Sequence, residues 1–241
     1  MGGWRCDSRI VGDAPFAPGS GAQETSLNPD YDESYYRNRE AWPDFRLEVR
    51  TLLEMGRLSP ESRVLELGCG GGELLRQVGA RVRLAVGVDI SPLGLRLVHR
   101  EARALALAAR VEALPFRSRS FDAAVAQHLV EHLPAPVEAM VEWRRVLRPG
   151  GILALITPNA AYPDPDIFHD PTHVHLFTPN SLRSTLEAAG FRVIHLSTLF
   201  PYLGRGRLGR AAGIRIAPLA RHLPGLSRSG RSLVATAVVP H

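Results

Sequence analysis

The stretch Val64-Leu65-Glu66-Leu67-Gly68-Cys69-Gly70-Gly71-Gly72-Glu73-Leu74 decides how this chain folds. A short apolar run enters a cluster of glycines, and a new apolar pattern starts directly after it, which reads as strand, tight turn and helix. Glycines at 68, 70 and 72 let the backbone turn sharply and approach a ligand closely. The first turn of the following helix then aims amide groups at that ligand. A dinucleotide fingerprint, Gly-x-Gly-x-x-Gly counted from Gly68, needs glycine at 73, and position 73 is glutamate.

Beyond this stretch, short apolar strands alternate with amphipathic helices, the texture of a parallel sheet covered on both faces. Strands are read at Arg63 to Gly68, Leu84 to Asp89, near Val111, at Phe121 to Gln127, Ile152 to Thr157, Phe191 to Ser197 and Ser232 to Val239. Ser91-Pro92 supplies an N-cap and N1 proline for a helix running to about Ala108. Pro136 to Leu147 and Thr178 to Ala189 read as two more helices, with Arg148-Pro149-Gly150-Gly151 as a tight turn between the first of these and its strand. Upstream, Tyr31 to Arg57 carries an apolar helical stripe through Phe45, Leu47, Val49, Leu52, Leu53 and Met55. Residues 1–28 have no periodicity and read as a flexible leader, 29–58 as a helical cap, and 59–241 as the main domain.

The chain has 241 residues, 45% of them hydrophobic, enough for one real core. All 29 of its basic residues are arginine. That absence of lysine excludes a Gly-Lys-Ser/Thr phosphate loop, a Schiff-base lysine and a Ser-x-x-Lys nucleophile, and arginine cannot act as a base in their place. The charge is uneven. Residues 188–241 hold eight arginines and no acid, leaving 21 arginines against 24 acids in the rest. The two cysteines, Cys6 and Cys69, suffice for neither a disulfide framework nor a zinc site. No run of 18 apolar residues occurs and the start is not of secretory type, so the expected setting is the cytoplasm.

The glycine stretch fits Glu-x-Gly-x-Gly-x-Gly. With Asp89 closing the second strand, it resembles the class I S-adenosylmethionine-dependent methyltransferases. The resemblance continues through Val88-Asp89-Ile90-Ser91, Glu112-Ala113-Leu114-Pro115-Phe116, Phe121-Asp122-Ala123-Ala124-Val125, His128 to Leu133, and Arg145 to Gly151, in order and on matching elements. It implies a Rossmann-like α/β fold: a doubly wound seven-stranded sheet with the last strand antiparallel, plus the N-terminal helical cap. It also implies S-adenosyl-L-methionine as cofactor, held by Glu66, Gly68, Cys69, Gly70, Gly72, Asp89, Ile90, Glu112, Ala113, Leu114, Gln127 and His128. A carboxylate such as Glu66 suits the cationic methionine end of that cofactor, and Asp89 can accept both ribose hydroxyls. One place departs from the family. Where an aspartate commonly receives the adenine amino group, this chain has Ala109-Arg110, and arginine cannot accept that bond. Adenine is then expected on Val111 and Leu114 with a backbone amide, or on Glu112.

Residues 158–177 form an expected lid loop with Asp164, Asp166, His169, Asp170, His173 and His175. These groups suit a divalent metal, a general base for a substrate hydroxyl, or a turn that caps the next helix. No metal is assigned; His173 and then His128 are the catalytic candidates, and His169, His175, Tyr35 and Tyr36 the acceptor-binding ones. Residues 200–231 read as a basic insertion before the last strand, either a covering loop with buried leucines or a peripheral membrane contact. The function expected is methyl transfer to an oxygen or nitrogen of a small-molecule, glycan or lipid-linked acceptor. A non-catalytic cofactor-binding module and an RNA methyltransferase are the alternatives; nucleic acid is the less expected partner, because no Asn-Pro-Pro-Tyr-like motif follows the fourth strand.

Overall fold

The β-branched and leucine-rich runs pair into one seven-stranded sheet. Its strands are β1 (Arg63–Leu67), β2 (Leu84–Asp89), β3 (Leu105–Ala108), β4 (Phe121–Gln127), β5 (Leu147–Pro158), β6 (Arg192–Pro201) and β7 (Gly230–Val238). The structure is a computed structural model and describes residues 43–101, 105–162, 170–201, 203, 207–220 and 230–241. The strand order is β3-β2-β1-β4-β5-β7-β6; β7 runs antiparallel to β5 and β6, and the other pairs are parallel. The order reverses between β1 and β4, and the carboxyl ends of the strands at such a switch point are where open sheets of this kind bind ligands.

Among the described residues six α-helices flank the sheet: α1 (Pro43–Met55), α2 (Glu73–Gly79), α3 (Pro92–Glu101), α4 (Pro136–Val146), α5 (Pro179–Ala188) and α6 (Arg207–Ala220). Strand period two splits the core into two layers. Leu65 and Leu67 of β1 join Trp143 of α4 and Leu182 of α5 on one face. Val64 joins Leu52 of α1, Leu74 of α2 and Val98 of α3 on the other. Thr178 caps α5 through a capping box, its Oγ1 accepting the Ser181 amide at 3.2 Å while Ser181 Oγ accepts the Thr178 amide at 2.9 Å.

Two expectations need correction. Helix α3 ends at Glu101 and β3 occupies Leu105–Ala108, whereas the helix was expected to reach about Ala108 with a strand near Val111. Leu-Ala-Leu-Ala is good helix-forming sequence, but its backbone pairs in register with Val86 to Asp89, and that pairing overrides propensity. Val111 lies in a turn, its carbonyl accepting the Trp143 indole N–H at 3.0 Å. The expected 200–231 insertion narrows, because β6 runs to Pro201 and β7 starts at Gly230, and it contains the helix α6. The leader, the first part of the cap, Tyr35, Tyr36 and His169 lie outside the described residues.

Candidate active site

The glycine loop leaves β1 with left-handed backbone at Gly68, Gly70 and Gly72 (φ 68°, 49° and 84°). Asp89 at the end of β2 ties it down. Its Oδ2 accepts the Gly70 amide and its Oδ1 the Ser91 amide, both at 2.7 Å. The Gly68 and Cys69 amides donate to Val88 O and the Gly72 amide to Cys69 O, so these four loop amides brace the loop. Each Asp89 oxygen still has a lone pair for a ligand hydroxyl. Gly94 of α3 lies against the loop so closely that a Cβ there would sit 2.6 Å from Gly70 O.

The charge around the loop is negative. Glu66 is buried at the end of β1, Glu73 is buried at the start of α2, and no basic residue occurs between 66 and 74. Burial, then the charges of Glu66 and Asp89, push the Cys69 thiol well above its ordinary pKa. This donor set suits a cation with a ribose, and does not suit a pyrophosphate. Beside Asp89, Ile90 is 53% exposed and presents an apolar surface.

At the expected adenine position, Arg110 pairs with Glu112 at 3.3 Å. Val111 and Leu114 are buried in the core. The Leu114 amide donates to Glu142 Oε1 at 2.8 Å, and Arg145 holds both Glu142 and the Leu114 carbonyl. The Leu114 side chain and amide are therefore committed within the protein, and Ala113 is the exposed residue of that turn.

His128, just past β4, has left-handed backbone (φ 51°) and lies between two buried carboxylates. Its Nε2 is 2.9 Å from Glu48 Oε2 of α1, and its Nδ1 is 3.2 Å from Glu131 Oε1. Glu48 also accepts from Gln127 Nε2 at 2.9 Å and from Ser232 Oγ at 2.8 Å, and Glu131 Oε2 accepts from Thr157 Oγ1 at 2.9 Å. Burial alone would raise Glu48, yet the His128 charge and these hydrogen bonds bring it down to about 2. Burial alone would lower His128, yet Glu48 and Glu131 raise it to about 10. At neutral pH the ring is a cation donating from both nitrogens. Gln127, buried as well, ties β4 to the cap helix.

Glu48 was not singled out in the sequence, although a signal existed. Phe45, Glu48, Val49 and Leu52 share one helical face, and a carboxylate inside an apolar stripe has to find a partner.

Residues 170–177 dock on the turn after β4, the Val174 and His175 amides donating to Glu131 O at 2.9 and 3.0 Å. His132 Nδ1 lies 3.1 Å from Thr172 O, and the His132 and His173 rings meet edge to face at 4.9 Å. Burial lowers the His132 pKa, keeping that ring neutral. His173 Nε2 lies 3.6 Å from Asp170 Oδ2, and His175 Nε2 lies 3.2 Å from Pro134 O. Among the described residues, Glu131, His132 and His173 offer ligand atoms within 4.8 Å of one another. Both Glu131 oxygens already accept hydrogen bonds, one of them from a cationic ring, which fits a proton-handling cluster better than a metal centre.

A glycine loop over an acidic strand end, at the switch point of a sheet whose last strand is antiparallel, defines a protein that binds a nucleoside-containing cofactor. Residues 65–155 match the methyltransferase-domain family. The chain is 34% identical over 160 residues to an uncharacterized methyltransferase of Synechocystis sp., covering 59% of this chain and 72% of that one. It is 33% identical over 105 residues to the ubiquinone biosynthesis O-methyltransferase of Roseobacter denitrificans, covering 40% and 41% respectively. Among solved structures it resembles a chain of the complex between the Haloferax volcanii Trm112 methyltransferase activator and a methyltransferase. The TM-score there is 0.66 at 17% identity, covering 86% of this chain and 96% of that one, a likeness of fold. The chain belongs to the class I S-adenosylmethionine-dependent methyltransferase family. It spans between 41% and 60% of the length of the first curated relatives it matches.

Proposed function

We propose that this chain transfers a methyl group from S-adenosylmethionine to an oxygen or nitrogen of a small-molecule, glycan or lipid-linked acceptor. The observation that carries the reading is the negatively charged glycine loop braced by Asp89. Bound there, S-adenosylmethionine supplies a methyl group on a positively charged sulfur. Glu66 would offset that charge, Asp89 would accept from the ribose hydroxyls, and Ile90, Glu112 and Ala113 would border the adenine. Because the methyl donor is already activated, orienting the acceptor supplies most of the rate.

His173 would take the proton that the acceptor's hydroxyl or amine gives up on methylation. Asp170 steadies the resulting imidazolium, and His132 holds the ring edge-on. His128 is suited to structure and charge, because a ring protonated up to about pH 10 takes no proton at neutral pH. The relatives named as ubiquinone biosynthesis O-methyltransferases support a small-molecule oxygen as acceptor.

The test is release of S-adenosylhomocysteine over a panel of phenols, catechols, sugars and amines. His173→Ala should leave cofactor affinity unchanged and lower turnover by about a hundredfold. Full turnover would remove His173 from the mechanism, and cofactor binding without turnover on any acceptor class would favour a binding module.

A further inference from the structure

Helix α6 carries a face that the fold leaves unused. Gly213 and Ala217 are buried on the side of the helix that packs on β6, where a bare backbone and a single methyl allow close approach. Leu208, Ala211, Arg215 and Leu219 fall on one line along the opposite side, and all four are exposed. Leu208 is 88% and Leu219 72% exposed, and the helical rise sets them roughly 16 Å apart. Leu203, ahead of the helix, is 41% exposed. A single exposed leucine needs no explanation. Two nearly bare leucines flanking an arginine along one helical line are a pattern.

The charge says what covers that line. Residues 188–241 hold eight arginines and no aspartate or glutamate. A second copy would bring one basic segment against another. A nucleic acid would satisfy the arginines and leave the leucines in water. An anionic bilayer satisfies both, because Leu208 and Leu219 enter the acyl boundary while the exposed Arg215 between them holds a lipid phosphate in the headgroup layer. Among the described residues no helix is long and apolar enough to cross a membrane, so the contact is peripheral. We propose that the exposed face of α6, with Leu208, Arg215 and Leu219, is a docking surface for anionic phospholipid membranes. This rests on the helix and on the charge of the segment that carries it, and is independent of the methyl-transfer reading.

The full chain is sedimented with vesicles of phosphatidylcholine alone and with vesicles containing about 30% phosphatidylglycerol. It should partition onto the anionic vesicles and come off in about 0.5 M salt. The double variant Leu208→Gln/Leu219→Gln should lower that partition at least about tenfold with an unchanged thermal midpoint, because both side chains are solvent-exposed. Failure to sediment with anionic vesicles overturns the proposal, as does a double variant that binds them like the parent. A leucine-dependent dimer in light scattering without vesicle binding assigns the face to a second copy. RNA retention without vesicle binding assigns it to nucleic acid. Either result refutes membrane docking.

Discussion

Replacing Glu48 by glutamine keeps the shape of the cap-helix contact and removes one of the two charges that hold His128. His128 rises from its ordinary 6.5 to about 10. A rise of that size corresponds to about 5 kcal/mol of proton-linked stabilisation, shared between two carboxylates. Glu131 remains in the variant, so roughly half, about 2 to 3 kcal/mol, leaves with Glu48. The depressed Glu48 reports the same interaction from its other side and is counted once. For a chain of this size the loss is a fall of roughly 5–10 °C in thermal midpoint. The sign of the pH dependence is set by both groups. The His128 contribution is complete below pH 6.5 and is lost as pH rises through about 10. The Glu48 contribution is complete above 4.5 and is lost as pH falls through about 2. The gap between parent and Glu48→Gln should therefore be widest between pH 4.5 and 6.5 and close by about pH 10. Scanning fluorimetry of both proteins at matched ionic strength across that range measures it. A gap that is absent, or constant from pH 6 to about 10, refutes the charged sandwich.

Asp89→Ala should weaken S-adenosylmethionine binding at least about tenfold by calorimetry, because it removes the ribose acceptor and releases the Gly70 and Ser91 amides together; unchanged affinity would sink the ribose assignment. Gly94→Ala places a methyl 2.6 Å from Gly70 O and should lower cofactor affinity without touching the ligand, so affinity equal to the parent's would mean the loop yields freely. Thr178→Ala breaks the capping box of α5 at a cost of about 1 kcal/mol. That is roughly 2–4 °C of midpoint, with cofactor affinity unchanged.

The sequence by itself determined six of the seven strands and the glycine loop, because these depend on local chemistry. Alternating apolar runs mark strands wherever they pair, and glycines mark positions such as 68, 70 and 72 where the backbone takes positive φ. Asp89 was legible for the same reason, lying at the end of an apolar run. Contacts between distant segments were not legible. Leu105–Ala108 is a strand only because Val86 to Asp89 lies beside it. Leu114 stands in a family motif, and only the fold shows that Glu142, 28 positions on, takes its amide. His128 has the chemistry of a base in sequence and is a locked cation in the fold, because Glu48, 80 residues away, is brought within 2.9 Å of it. Residue type sets an ordinary pKa; only the tertiary structure supplies the facing charge and the exclusion of water that move it.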